Sequence, residues 1–218
     1  MASVVTLSAS FGAGGSIVGP QVAERLGLPF LDRAIPVAVA EALAVPMSEV
    51  LAHDERRTSG FGRLFASLAR AAALPDTEFG TVPSAARATF GDQPEQAFRD
   101  QTERVLHQVA ETEGGVILGR AGAIVLRDHE DALHVRLDGP LDARVQRAVG
   151  LEGVDEDQAR KLAAETDRAR EAYVKHFYKC DSRDPRHYHL VLDSTALDLD
   201  TCVDLIVTAA RTRTVGSS

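Results

Sequence analysis

The stretch SASFGAGGSIVG, residues 8–19, lies between an apolar β-branched run, VVTL, and a helix-like segment, PQVAERLG. Strand, glycine loop, helix is the order that most narrows the folds open to this chain. It sets a group of backbone N–H donors at a helix N-terminus, where the helix dipole favours an anion. In the phosphate-binding pattern G-x-x-x-x-G-K-[ST], the backbone cradles phosphates, the lysine reaches the outer ones and the hydroxyl holds magnesium. With Gly14 as the last glycine of that pattern, Ala9 stands for the first glycine, Gly15 for the lysine, and Ser16 keeps the hydroxyl. No lysine or arginine precedes Arg25. The cradle is complete and the cation is missing. A dinucleotide fingerprint, G-x-G-x-x-G, is the rival. Begun at Gly12 it needs glycine where Ile17 stands, although Asp32 lies where a ribose-binding acid belongs. A plain tight turn, with glycines chosen for positive φ, is the third reading. On the loop's residues alone all three stay open.

Short buried runs alternate with helical patterns along the chain. Residues 4–8 read as a strand. Residues 17–26 read as a helix with Ile17, Val18, Val22 and Leu26 on its apolar face and Gly27 as its stop. Residues 28–31 form a second short strand ending at Asp32-Arg33, and a helix follows over 34–43. Within residues 47–98, Phe61, Leu64, Phe65 and Leu68 recur at helical spacing, and LPDTEFGTVPSAARATFGDQPE then reads as a mobile loop. A long helix carrying Phe98, Thr102, Val105 and Val109 runs to Gly114-Gly115. VILG, 116–119, is the clearest buried strand, followed by a short helix over 121–126. A strand over 133–137 leads to a helix begun at Pro140 and ending at Val149. A long charged helix spans 155–179, then come a strand over 189–193, a helix over 199–210 and a frayed tail, RTRTVGSS.

Such alternation predicts an α/β fold: a parallel sheet with helices on both faces. Ligands in these folds bind at the carboxyl ends of the strands. That rule puts residues 8–16, Asp32-Arg33, Gly119-Arg120 and Asp138 along one edge.

The chain has 218 residues, enough for one good-sized domain with an inserted flap or lid. Its net charge of -8 argues against polymeric nucleic acid and membrane surfaces as partners, because both call for a basic excess. No signal-peptide pattern opens the sequence, and no apolar run reaches the ~18 residues of a membrane span. Cys180 and Cys202, far apart in sequence, read as reduced thiols, and the expected location is cytoplasmic. Of the 24 basic residues, 21 are arginine and three are Lys161, Lys175 and Lys179. That skew reflects either genome composition or phosphate recognition by planar guanidinium forks.

Several separated stretches together carry a family resemblance. VVTLSASFGAGGSIVGPQVAERLGLPFLDR resembles the amino-terminal end of the cytidylate kinase-like proteins, relatives of the nucleoside monophosphate kinases whose loop typically reads G-[SA]-G-G without lysine. VILGRAGAIVL resembles their G-R segment, and LHVRLDGPLDARVQRA their strand and arginine-bearing helix. ETDRAREAYVKHFY and HYHLVLDSTALDLDTCVDLI resemble their lid helix and closing strand-helix. The resemblance implies a P-loop kinase-like three-layer α/β/α domain, with an acceptor-side insert at about 47–98 and a lid helix at about 155–180. It implies ATP and Mg2+ as cofactors and phosphorylation of a nucleoside monophosphate such as CMP. Partners would be small-molecule nucleotides, and homo-oligomer formation stays open.

By position, the resemblance assigns Gly12, Ala13, Gly14, Gly15 and Ser16 to the ATP phosphates, with Ser16 also meeting magnesium. It assigns Asp32, Arg33 and Arg120 to the acceptor, and Arg144, Arg147, Arg168 and Arg170 to charge supplied from the lid side. Many relatives carry arginine and glutamate directly after the first strand's serine, and often arginine after the double glycine; those places here are Ala9, Ser10 and Ser16. On a helix, Asp167 and Arg170 share a face, as do Arg170 and Tyr173, and Arg144 and Arg147. A closing lid would bring arginines over a loop-bound phosphate and exclude water. Against this stands pairing of the arginines with Glu165, Glu171 and Asp142 on solvated faces. Two other classes remain: a nucleotide-binding or regulatory protein that has kept the fold and lost turnover, and an NAD(P)-dependent enzyme. His176, Cys180, His187 and His189 are a zinc-ligand candidate beside the lid, with aromatic and polar surface packing as the reading preferred over it.

Overall fold

The structure is a computed structural model that describes residues 3–31, 94–153 and 155–213. The expected helix over 34–43 and most of the expected insert, 47–93, lie outside the described residues. The chain divides into two compact units, one formed by Met1–Asp32 with Leu106–Ser218 and the other by Arg33–Val105.

Strand β1, Val4–Ala9, forms where a β-branched run supplies buried side chains on both faces, and Val4, Val5 and Leu7 are shut off from solvent. The chain enters α1, Gly15–Leu26, through a left-handed Gly14, so the helix begins two residues before its apolar periodicity does. Gly27, also left-handed, ends it, and Leu28 N–H returns to the Ala23 carbonyl at 3.0 Å. That closure occupies residues the sequence pattern assigns to a strand. It leaves β2 only Phe30–Leu31.

Helix α2, Pro94–Glu111, starts at a proline suited to the first helical position, so the last two residues of the expected mobile loop are helical. Next come β3, Gly115–Leu118; a short α3, Gly122–Val125; and β4, Ala132–Asp138. Helix α4, Leu141–Glu152, follows Pro140. Helix α5, Glu156–Tyr178, starts on Asp155, whose side chain accepts the Gln158 N–H, and stops at a left-handed Lys179. Strand β5, Leu190–Asp193, leads to α6, Leu199–Thr212, capped by Asp198. Arg211 and Thr212 are therefore helical and not part of a frayed tail; Arg211 donates to the Arg25 carbonyl at 3.2 Å.

All strand pairs are parallel and the order is β2-β3-β1-β4-β5. Val4 stands opposite both Gly115 and Ala132, and Leu7 opposite both Leu118 and Val135. On one face, Val5 and Leu7 pack with Val18, Val22 and Leu26 of α1 and with Val203, Ile206 and Val207 of α6. On the other face α3 lies so close that a Cβ at Gly122 would sit 3.2 Å from the Thr6 methyl. The fold is the α/β architecture of helices on both faces of a parallel sheet. Helices α4 and α5 make a smaller core of their own from Val145, Ala148, Ala159 and Ala163. Among the described residues, no helix is long and apolar enough to cross a membrane.

A buried histidine sits inside this sheet. His134 is buried on β4, with its Nδ1 2.8 Å from the Thr6 hydroxyl and its ring stacked on His189 at 4.9 Å. Burial, then the neighbouring His189 and Arg213, lower its pKa from 6.5 to about 4. The folded protein therefore refuses a proton that the unfolded chain accepts, and stability contributed above pH 6.5 is lost as pH falls toward 4. The full window corresponds to about 3 kcal/mol, at roughly 1.4 kcal/mol per pKa unit. Denaturant unfolding at pH 7 and pH 4.5 should show a larger stability loss in the wild type than in His134→Gln. Equal losses in the two proteins would remove His134 as the source.

Candidate active site

The parallel sheet brings the carboxyl ends of β1, β3 and β4 to one edge, and the glycine loop leaves from the central strand. Ser10 N–H bonds the Leu137 carbonyl at 3.2 Å, and Ala13 N–H closes a turn onto Ser10 at 3.0 Å. Gly12 has φ +73, and a Cβ placed there would lie 2.2 Å from the Arg144 carbonyl oxygen, so only glycine fits. Gly15 and Ser16 open α1, where N–H groups have no intrahelical acceptor. Among the described residues, the N–H groups of Gly12, Gly14, Gly15 and Ser16 meet no protein acceptor. The Ser16 side chain is exposed. These are the donors and the hydroxyl that a phosphate and its magnesium ion require.

The absent lysine has a steric cause. A Cβ at Gly15 would stand 2.6 Å from the Ala9 Cβ and 3.1 Å from Leu118 Cδ1. Position 15 cannot carry a side chain while position 9 carries a methyl group. The two departures from G-x-x-x-x-G-K are thus one reciprocal change, alanine for glycine at the first place and glycine for lysine at the seventh.

Arginines reach the loop from α4 and α5. Arg170 donates to the Ala9 carbonyl at 2.5 Å. Arg147 donates to the Ser194 carbonyl and, at 3.5 Å, to the Gly12 carbonyl. Arg168 is exposed on α5. Arg144 departs from the expected role: it is buried, and its guanidinium is held by the carbonyls of Phe11 at 2.8 Å and Gly139 at 2.9 Å and by Asp167 at 2.8 Å. Its charge is met by Asp167 and its donors by two carbonyls. Of the carboxylates expected to pair with these arginines, Asp142 meets Arg160 at 2.7 Å and Glu171 meets Arg183 at 3.4 Å.

Arg120 follows β3 in a run of three left-handed residues, Gly119, Arg120 and Ala121. For the two non-glycine residues that backbone costs roughly 1–2 kcal/mol each, and such strain gathers at functional turns. Asp32 and Arg33 lie outside the described residues.

Sequence reasoning missed Arg136, Phe11 and Ser194. Arg136, buried on β4, bonds Asp138 at 2.7 Å, the Ser10 hydroxyl at 3.2 Å and the Ser182 carbonyl at 3.3 Å, with the Tyr188 ring beneath it. Burial would raise the Asp138 carboxyl, but hydrogen bonds from Arg136 and Ser10 outweigh it and hold that pKa below the usual carboxylate range. The buried Ser194 hydroxyl donates to the Ala13 carbonyl at 2.7 Å. A charge inside the apolar run LHVRLD was the available signal for Arg136.

The histidines beside the lid helix take part in aromatic packing. His176 meets Phe177 edge-on at 4.7 Å, His187 meets Tyr188 at 6.4 Å, and His189 stacks on His134. Among the described residues, no three His, Cys, Asp or Glu side chains form a metal-ligand group.

A parallel sheet of order β2-β3-β1-β4-β5 with a glycine loop between its central strand and the first helix defines a P-loop kinase-like α/β protein. The sequence model of the cytidylate kinase-like family matches residues 4–196, and the chain belongs to that nucleotide kinase-like family. A cytidylate kinase from Methanopyrus kandleri is 28% identical over 157 residues, covering 68% of this chain and 76% of that protein. A uronate isomerase from Corynebacterium glutamicum is 34% identical over 109 residues, half of this chain; the match spans only 21% of that relative's length. Among solved structures, an uncharacterized protein from Eubacterium ventriosum has a TM-score of 0.64 at 20% identity, over 96% of this chain and 98% of that one. That likeness is one of fold.

The contact between positions 9 and 15 can be tested by a double-mutant cycle. Gly15→Ala alone should cost roughly 1–3 kcal/mol of overpacking. Ala9→Gly together with Gly15→Ala should recover at least about 1 kcal/mol beyond additivity in denaturant unfolding. Additive effects would show that the two positions do not compete for the same space.

Proposed function

We propose that this protein transfers the γ-phosphate of Mg-ATP to a nucleoside monophosphate, CMP or one of similar chemistry. The observation that carries this reading is the set of N–H groups at Gly12, Gly14, Gly15 and Ser16 that meet no acceptor among the described residues, at the carboxyl end of the central strand in a cytidylate kinase-like chain. On this reading the loop amides and the α1 dipole hold the ATP phosphates. The Ser16 hydroxyl ligates magnesium, which neutralises charge on the phosphate oxygens. Arg120 orients the acceptor. An acceptor phosphate oxygen forms the new bond to the γ-phosphorus as the bond to the bridging oxygen of ADP breaks. Protein groups contribute alignment and charge compensation and form no covalent intermediate.

The compensating cation comes from α5. Arg170 already reaches the Ala9 carbonyl beside the loop, and Arg168 is exposed on the same helix. A second reading, nucleotide binding without turnover, is favoured by the steric bar to any side chain at Gly15. The partners on either reading are small-molecule nucleotides.

ADP release from Mg-ATP with each nucleoside monophosphate in turn separates the readings. Transfer to CMP that falls roughly a hundredfold or more in Arg170→Ala or Arg168→Ala is the expected result for a lid-supplied cation. ATP binding with no transfer to any acceptor establishes the second reading. Stabilisation by NAD(P) and not by ATP overturns both.

A further inference from the structure

We propose that Asp167 and Arg144 are positioning residues for the phosphate loop, acting with Phe11 as a closed ring that ties α4 and α5 to the amides of residues 12–16. Phe11 N–H donates to Asp167 Oδ1 at 2.8 Å, and Arg144 Nη1 donates to the Phe11 carbonyl at 2.8 Å. Arg144 Nη1 also meets Asp167 Oδ2 at 2.8 Å, which closes the ring. A single loop residue is thus gripped through both its N–H and its carbonyl by a charged pair from two helices. Its side chain adds a third hold, packing against Val145 and Ala148 of α4 and Ala159 and Ala163 of α5. The next residue, Gly12, lies against the α4 backbone at the Arg144 carbonyl.

Both carboxylate oxygens of Asp167 are engaged and serve different donors. Asparagine at 167 accepts from one of the two and turns an N–H toward the other, so the pair is a demand for a carboxylate and not merely for a polar side chain. Arg144 also lies 3.7 Å from Asp138, so its positive charge is matched inside the cluster. The ring acts through placement. It sets where the chain enters residues 12–16, and with it the direction of the donors there. Because those donors are the ones assigned to ATP, the role in catalysis rests on the proposed function, while the effect on the loop does not.

Arg160 supplies an internal comparison. It also joins α5 to α4, through Asp142 at 2.7 Å, but on the exposed side and without touching the loop. If the ring only holds two helices together, loss of Arg160 and loss of Arg144 should act alike.

The test is amide hydrogen exchange of the full chain, read at Phe11 and Ala13, whose N–H groups bond Asp167 and the Ser10 carbonyl, in Asp167→Asn, Asp167→Ala, Arg144→Ala, the Asp167→Ala/Arg144→Ala double variant and Arg160→Ala. Calorimetric titration with Mg-ATP is run alongside. Exchange at Phe11 and Ala13 should accelerate about tenfold or more in the Asp167 and Arg144 variants, no further in the double variant, and not in Arg160→Ala. ATP dissociation constants should rise in parallel, and where transfer occurs the KM for ATP should rise while that for the acceptor holds. Unchanged exchange in Asp167→Asn, which keeps the side-chain shape and the fold, overturns the proposal. So does equal acceleration in Arg160→Ala. A wild-type protein that binds no ATP refutes the proposed function, and the exchange pattern alone then decides the ring.

Discussion

Parallel pairing of β1 with β3 on one side and β4 on the other governs where chemistry can occur in this molecule. It aligns three strand ends at one edge, with Ala9 opposite Leu137 and Leu7 opposite Leu118. The loop that follows β1 must emerge between the segments that follow its two neighbours. Arg120 therefore lies on one side of the loop, and Asp138 with the start of α4 on the other. Burial of Val4, Val5 and Leu7 makes that register costly to alter, since a slip would also displace the faces that receive α1 and α6.

Within this frame the loop is built by contact more than by sequence motif. Its glycines answer to particular neighbours: the Arg144 carbonyl behind Gly12 and the Ala9 methyl beside Gly15. Its carbonyls accept from guanidinium groups, at Ala9, Phe11 and Gly12. The arginines that supply these bonds stand on α4 and α5.

The central strand, the glycine loop and the helix after it were legible because each has a local cause. A β-branched run buries itself, glycine admits a left-handed turn, and Gly27 closes a helix. The long helix was legible at both ends for the same reason, with Asp155 accepting at its start. Shorter-range competition was harder to see. Leu28 reads as strand, yet its N–H completes the end of α1 and β2 shrinks accordingly. The site was legible in its residue types and less so in its pairings. Helical spacing put Asp167 beside Arg170, but Asp167 bonds Arg144, 23 residues back, and Phe11, 156 residues back. Arg136 finds its partners on segments 46 and 126 residues away. Such pairs depend on how helices and strands pack, and no period in the chain encodes them.

Helix α5 has a mechanical property that follows from where it is held. Asp167 stands eleven residues from Glu156 and eleven from Tyr178, so the loop is gripped from the midpoint of the helix. Each arm is about 16 Å long at ~1.5 Å per residue. The first arm lies on α4 through Ala159, Ala163 and Arg160, and Arg170 reaches Ala9 from the second. A tilt of α5 would therefore break contacts on both sides of the loop's anchor.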